Sequence, residues 1–170
     1  SVWISRISGA SGTARELKGV RSAITTNVIT AATGSTTAAL SLTNLNLLLK
    51  TIWAAGGKPN AIYVNGAQKE AISAFSTPIT RNIDASTKRY TNVVNVFDSA
   101  YGTLDVVLDR YATTSELLAL QEDQFKVAYL RPVMVSPLPD DGGGKKGVAE
   151  VEYTLEYGNE AASGKLTNLS

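Results

Sequence analysis

The residues that could do chemistry in this chain are few in type and scattered in position. A carboxylate and a guanidinium stand together at Asp109-Arg110-Tyr111, where an apolar run ends, and Arg131-Pro132 closes another. Glu150, Glu152 and Glu156 alternate with other residues near the C-terminal end, and Asp140-Asp141 precedes the stretch "GGGKKG". Grouped acids can hold a hard cation or act as general acid and base. A Gly-Lys pair can cradle phosphate.

Each feature also has a plainer reading. Asp140-Asp141 lacks further oxygen ligands at regular offsets and reads as a solvated loop. "GGGKKG" lacks the spacing and the Ser/Thr of a phosphate loop, and it precedes a strand where phosphate needs a helix N-terminus. The glutamate row reads as the solvent side of a strand, with a metal, a basic partner or a neighbouring subunit as the alternatives. Asp109, Arg110 and Arg131 read as local pairing, or as contacts between subunits.

Composition removes whole classes of mechanism. The 170 residues include no cysteine and no histidine. Disulfides, thiolate and imidazole metal ligands, and Ser-His-Asp or Cys-His arrangements are therefore excluded. Nothing assembles a nucleophile with its base and orienting group, so no catalytic, cofactor-binding or metal residue is assigned and no cofactor is expected. Sixteen basic residues against fifteen acidic ones give a net charge of +1, which argues against specific nucleic-acid binding. The longest apolar run falls far short of the roughly 18 residues of a membrane span, and no charged and apolar leader opens the chain. Ser1 stands where Met would, so a processed chain, or one cut from something longer, is expected. A chain of this length can bury roughly 70% of its unfolded surface, enough for a sizeable core.

The elements that must position these residues are legible in part. Residues 1–12 read as the end of a strand, favoured by Val2, Trp3 and Ile4, running into a flexible turn, and 13–29 is compatible with a helix around Leu17, Val20 and Ile24. Residues 30–41 read as a surface loop. The clearest helix is 43–55, with Leu45, Leu48, Leu49, Ile52 and Trp53 on one face. Thr43 is its expected cap, Gly56 or Gly57 its left-handed terminator, and Pro59 bars its resumption. Trp53 is expected in the core, with an interface anchor as the alternative. A short strand, 61–64, leads through Asn65-Gly66 into a second helix carrying Ala71, Ile72 and Phe75 on one side. Residues 76–91 read as a long exposed loop. "NVVNVFD" and "TLDVVLDR" form a hairpin about 99–102, and Glu122–Gln124 a further turn. Pro132 and Pro137 place "VMVS" on an edge strand. "VAEVEYTLEY" alternates as a half-buried strand with an acidic outer face, and "GKLTNL" is a last short strand.

Taken in order, "LLLKTIWAAGGKP", "AIYVNGAQKEAISAFS", "VVLDRY", "FKVAYLRPVMVSPL" and "EYTLEYGNEAASGKLTNL" resemble the major capsid proteins of tailed phages and prophages, a group sharing the HK-ninety-seven-type capsid fold. The resemblance runs through most of the chain, from about Leu45 to Leu169. It implies an α+β fold of two lobes. A peripheral lobe, 1–57 with 148–170, would hold a long spine helix and a long-stranded sheet. An axial lobe, 58–147, would hold a central sheet with flanking helices. Residues 56–76, with Gly56 and Gly57 at their start, then form a joint that sets the angle between lobes, in which Asn65 and Gly66 position a helix. The N-terminal arm and extended hairpin of full-length relatives are lost or fragmentary in this chain. The implied partners are other copies of itself, around fivefold and sixfold axes, in a virion capsid made in the bacterial cytoplasm. Alone, the chain is expected as a monomer or small oligomer. Two alternatives stand beside this. One is a small α+β enzyme or ligand-binding module using carboxylates with Arg110 or Arg131. The other is a tail or adhesin component, against which the helix 43–55 counts.

Overall fold

A computed structural model describes residues 17–32, 36–75, 95–139 and 142–170. The strand end and turn expected over 1–12, the loop 76–91 and the pair Asp140-Asp141 lie outside the described residues, as do parts of the segments 13–29, 30–41 and 92–98.

The elements run α1 (Val20–Ala23), β1 (Val28–Thr30), α2 (Leu42–Ala54), β2 (Ala61–Val64), α3 (Gly66–Phe75), β3 (Val96–Ser99), β4 (Gly102–Leu108), β5 (Leu117–Leu120), β6 (Phe125–Leu138), β7 (Lys146–Tyr157) and β8 (Gly164–Thr167). Six strands make one mixed sheet in the order β1-β8-β5-β2-β4-β3. The pairs β1/β8 and β2/β4 are parallel, and β2/β5, β3/β4 and β5/β8 antiparallel. β6 and β7 form a separate antiparallel ribbon.

Alternation along the central strands explains why both faces of the sheet are covered. On β5, Leu117 and Ala119 join a core with Leu45, Leu48, Leu49 and Ile52 of α2 and Ile72 of α3. Leu118 and Leu120 point the other way, into a second core with Val20, Ile24, Phe125 and Leu155. Successive side chains leave a strand on opposite faces, so four consecutive buried residues require a layer on each side. The first layer is α2 and α3. The second is the α1 turn and the base of the ribbon.

Several expectations are corrected here. The helix 13–29 contracts to one turn, Val20–Ala23, and Val28–Thr30 is a strand beside β8. Gly19 and the Thr-Thr-Asn run give that segment too little helix propensity, and the β8 edge offers its backbone partners instead. The loop 30–41 is only partly on the surface: Leu40 is buried, and Ala38 bridges Leu169. The cap of α2 is Ser41, whose hydroxyl accepts from the Asn44 amide at 3.2 Å, and Thr43 lies within the helix. Trp53 is 63% exposed. It stands about 80° round the helix from Leu45, just off the buried stripe. Glu122–Gln124 is a turn as expected, a 3-10 turn, but the strands on its two sides pair in different sheets. The strand 146–157 is not half-buried along its length: Lys146 to Val151 are all exposed, and only Leu155 is buried.

No helix among the described residues is long and apolar enough to cross a membrane.

Candidate functional site

An open groove of about 580 Å³ lies between α2, α3 and the β3–β4 hairpin. Its lining is mainly apolar, with Leu42, Ile72, Phe75, Phe97 and Tyr101, and Asp98 is its one charged residue among the described residues. No group of three or more acids that could hold a metal occurs among the described residues. Among the described residues the groove therefore gathers one carboxylate and no base beside it.

The most unusual surface is the ribbon. β6 is 14 residues long and β7 is 12. Beyond their first few pairs both strands are exposed on both faces. Leu130 is 78% exposed, Val133 70% and Val135 73%. Burying such side chains is worth roughly 1.5–3 kcal/mol each, so their exposure is costly in water. An isolated two-stranded ribbon is marginal at best. What holds it internally is modest. Arg131 donates to both oxygens of Glu152 at 3.1 and 3.2 Å. The rings of Tyr129 and Tyr153 lie 6.0 Å apart. The register slips between Tyr129 and Arg131 and again between Arg131 and Met134, around Pro132, which has no amide to donate.

The residues expected at sites fall into three places. Arg131, Glu150, Glu152 and Glu156 are all on the ribbon: Glu152 faces Arg131, Glu150 faces Met134, and Glu156 faces Lys126. The acidic row is thus partly matched by the opposite strand. Asp109, Arg110, Asn65 and Gly66 meet at the far end of β4. Asp109 accepts from the Tyr111 amide at 2.8 Å, and Arg110 is exposed. Asn65 Oδ1 accepts from the Ala67 amide at 3.1 Å, and its Nδ2 donates to the Ala112 carbonyl at 3.2 Å, which starts α3 and ties it to that turn. Trp53, Gly56 and Gly57 end α2. Gly56 takes φ +83°, the left-handed terminator. A Cβ on Gly57 would lie 2.6 Å from the Ala162 Cα. The Trp53 ring lies 6.2 Å from that of Tyr101.

Sequence reasoning missed the polar network where the ribbon leaves the sheet. Tyr63 donates to Glu122 at 2.5 Å, Asn60 Nδ2 donates to the same carboxylate at 3.0 Å, and Asn60 Oδ1 accepts from the Glu122 amide at 2.9 Å. Burial, and after it the neighbouring Glu122 carboxylate, pushes the Tyr63 phenol up to about 12. The phenol therefore remains a donor at any ordinary pH. Also missed were the pair Arg21–Glu116 and the Glu160 carboxylate, which accepts from the amides and hydroxyls of Thr25 and Thr26. Only a helix-sized or strand-sized period leaves a sequence signal, and these contacts join residues about 60 to 135 positions apart.

The chain superposes over 90% of its length on a chain of the holo SrpI encapsulin complex from Synechococcus elongatus, with a TM-score of 0.52, 13% identity and 57% of that chain covered. A virus-like particle from Pyrococcus furiosus matches 86% of this chain and 58% of its own, with a TM-score of 0.43 and 11% identity. The chain thus spans just over half the length of these two solved chains. No curated protein sequence matches it. The chain belongs to the SU10 major capsid protein family, whose model matches residues 3–170. A major capsid protein is a structural subunit of a capsid shell, and that is the class in which this chain stands.

Proposed function

We propose that the polypeptide carrying this chain assembles with copies of itself, through heterologous contacts around fivefold and sixfold axes, into the closed capsid of a tailed phage or prophage. The observation that carries this reading is the ribbon. Its exposed apolar residues need a partner, and head-to-tail repetition supplies one to every subunit. Many weak contacts acting together then give a stable shell. The fold would be of the HK-ninety-seven type, supported by the layered sheet, the long ribbon and the likeness to the encapsulin chain. The protein would be made in the bacterial cytoplasm and work in the virion, without enzymatic activity, cofactor, specific nucleic-acid contact or membrane.

The lobes are part of the same proposal, with their division redrawn from 1–57 with 148–170 against 58–147. β1 and β8 complete the sheet that holds β2, β4 and β5. The apolar stripe of α2 packs into the core shared with β2, β5 and β8. We therefore assign the sheet, α2 and α3 to the axial plate and the ribbon to the periphery, so that α2 is not the peripheral spine.

The test is assembly with the ribbon altered. Val133→Asp with Val135→Asp places charge on the exposed ribbon and leaves both cores untouched. Shells seen for the parent polypeptide should disappear while circular dichroism and melting temperature stay near the parent's. Shells of unchanged yield from the double variant would refute the role given to the ribbon.

A further inference from the structure

The ribbon and the sheet are one antiparallel excursion broken in the middle. Going out, the chain passes β5, a 3-10 turn and β6; coming back, it passes β7, a second 3-10 turn at Glu160–Ala162, and β8. The same two limbs pair on both sides of the break. Ala119 faces Gly164 in the sheet, and Phe125 faces Tyr157 in the ribbon. Between those pairs, residues 120–124 stand against 158–163, five against six. One extra residue on one limb bends an antiparallel pair, as a bulge does.

Side chains then hold the bend from both limbs. On the outgoing limb, Glu122 is gripped by Tyr63 and Asn60 of the sheet, as described above, and the Lys58 amide donates to Gln121 Oε1 at 3.0 Å. Across the break, the Gln121 amide donates to Ser163 Oγ at 3.1 Å, and the Asn159 amide donates to Gln124 Oε1 at 3.1 Å. On the returning limb, Asn159 Oδ1 accepts from the Ala161 amide at 3.1 Å. Phe125 and Leu155, buried near the base of the ribbon, anchor it in the second core. Beyond those two residues few ribbon side chains are buried, so little else among the described residues steers it.

We propose that this elbow, with Glu122 and Gln124 as its positioning residues, fixes the direction in which the ribbon leaves the sheet. The proposal concerns the single chain and stands whether or not the chain builds shells. Interactions at each limb and two across the break over-determine the bend. Local opening free energy is set by such contacts, so removing them loosens the joint before it unfolds the plate.

The native sequence has no cysteine, so two introduced ones label cleanly. Spin labels at Lys50→Cys on α2 and Ser136→Cys on β6 report the angle as a distance distribution. The parent should give one narrow distribution. Glu122→Ala, Tyr63→Phe and Gln124→Ala should each broaden it and shift its maximum, with circular dichroism of the sheet retained. Ser41→Ala, which weakens α2 away from the elbow, should leave it unchanged. A broad distribution in the parent would overturn the proposal. So would parent-like distributions in folded Tyr63→Phe and Gln124→Ala, or equal broadening by Ser41→Ala. Should Glu122→Ala fail to fold, the two milder variants carry the decision.

Discussion

At the scale of single residues, three glycines at chain turns make different predictions from their surroundings alone. Gly57 faces backbone: its missing Cβ would lie 2.6 Å from Ala162 Cα and 2.7 Å from Ile52 Cγ2. Gly57→Ala must push the end of α2 off the returning limb of the elbow, and a loss of about 1–3 kcal/mol is expected in urea unfolding. Gly56 has open space but φ +83°, so alanine there should cost about 1–2 kcal/mol through backbone strain. Gly66 has open space and a helical start, and Gly66→Ala should stabilise by about 0.5 kcal/mol. A reversed order of Gly57 and Gly66 would contradict the packing described.

Two titrating groups add a pH signature. Burial raises the pKa of Glu160, but four hydrogen bonds from Thr25 and Thr26 outweigh it and hold the carboxyl below its usual range. Its contribution is therefore full above the unfolded pKa and is lost as pH falls through the folded one. Tyr63 is shifted upward, from 10.0 to about 12. The unfolded phenol ionises first, so stability falls as pH rises across that interval. Melting temperatures against pH should show both losses, the acid one reduced in Glu160→Gln and the alkaline one reduced in Tyr63→Phe. Unchanged profiles in both variants would contradict these assignments.

At the scale of elements, α2 separates two caps that the sequence alone does not. Ser41→Ala should cost about 1 kcal/mol, and Thr43→Ala close to nothing, by thermal or denaturant unfolding. Equal effects would restore Thr43 as the cap. This helix also shows where legibility stops. Leu45, Leu48, Leu49 and Ile52 announce it through a 3.6-residue period, and Gly56 marks its end. β2, α3, the β3–β4 hairpin and β8 were legible for similar local reasons. Val28–Thr30 was not, because its strand state comes from the parallel β8 edge, whose residues lie 137 positions away. The ribbon was half legible. Its alternation from Ala149 to Tyr157 correctly signals extended backbone, but alternation promises a covering layer, and none of the described residues supplies one to its outer half. The elbow left only the turn signal at Glu122–Gln124. Its grip comes from Asn60 and Tyr63 on another strand, about 60 residues earlier.

At the scale of the whole molecule, a well-packed plate carries a poorly covered arm. The plate keeps two cores, one on each face of its sheet. The arm exposes Leu130, Val133 and Val135, and among the described residues Phe125 and Leu155 and a polar clamp hold its base to the plate. Such a division suits a subunit that is rigid in itself and completed by its neighbours. The 170-residue chain alone should therefore run as a monomer or small oligomer in light scattering at moderate concentration, and closed shells from it alone would count against that. The most direct test is electron cryomicroscopy of the natural polypeptide that carries this chain, produced in bacteria. The account predicts closed shells in which residues 129–138 and 146–151 are covered by protein in every subunit. Dispersed single subunits, or shells whose ribbons all face open solvent, would contradict it.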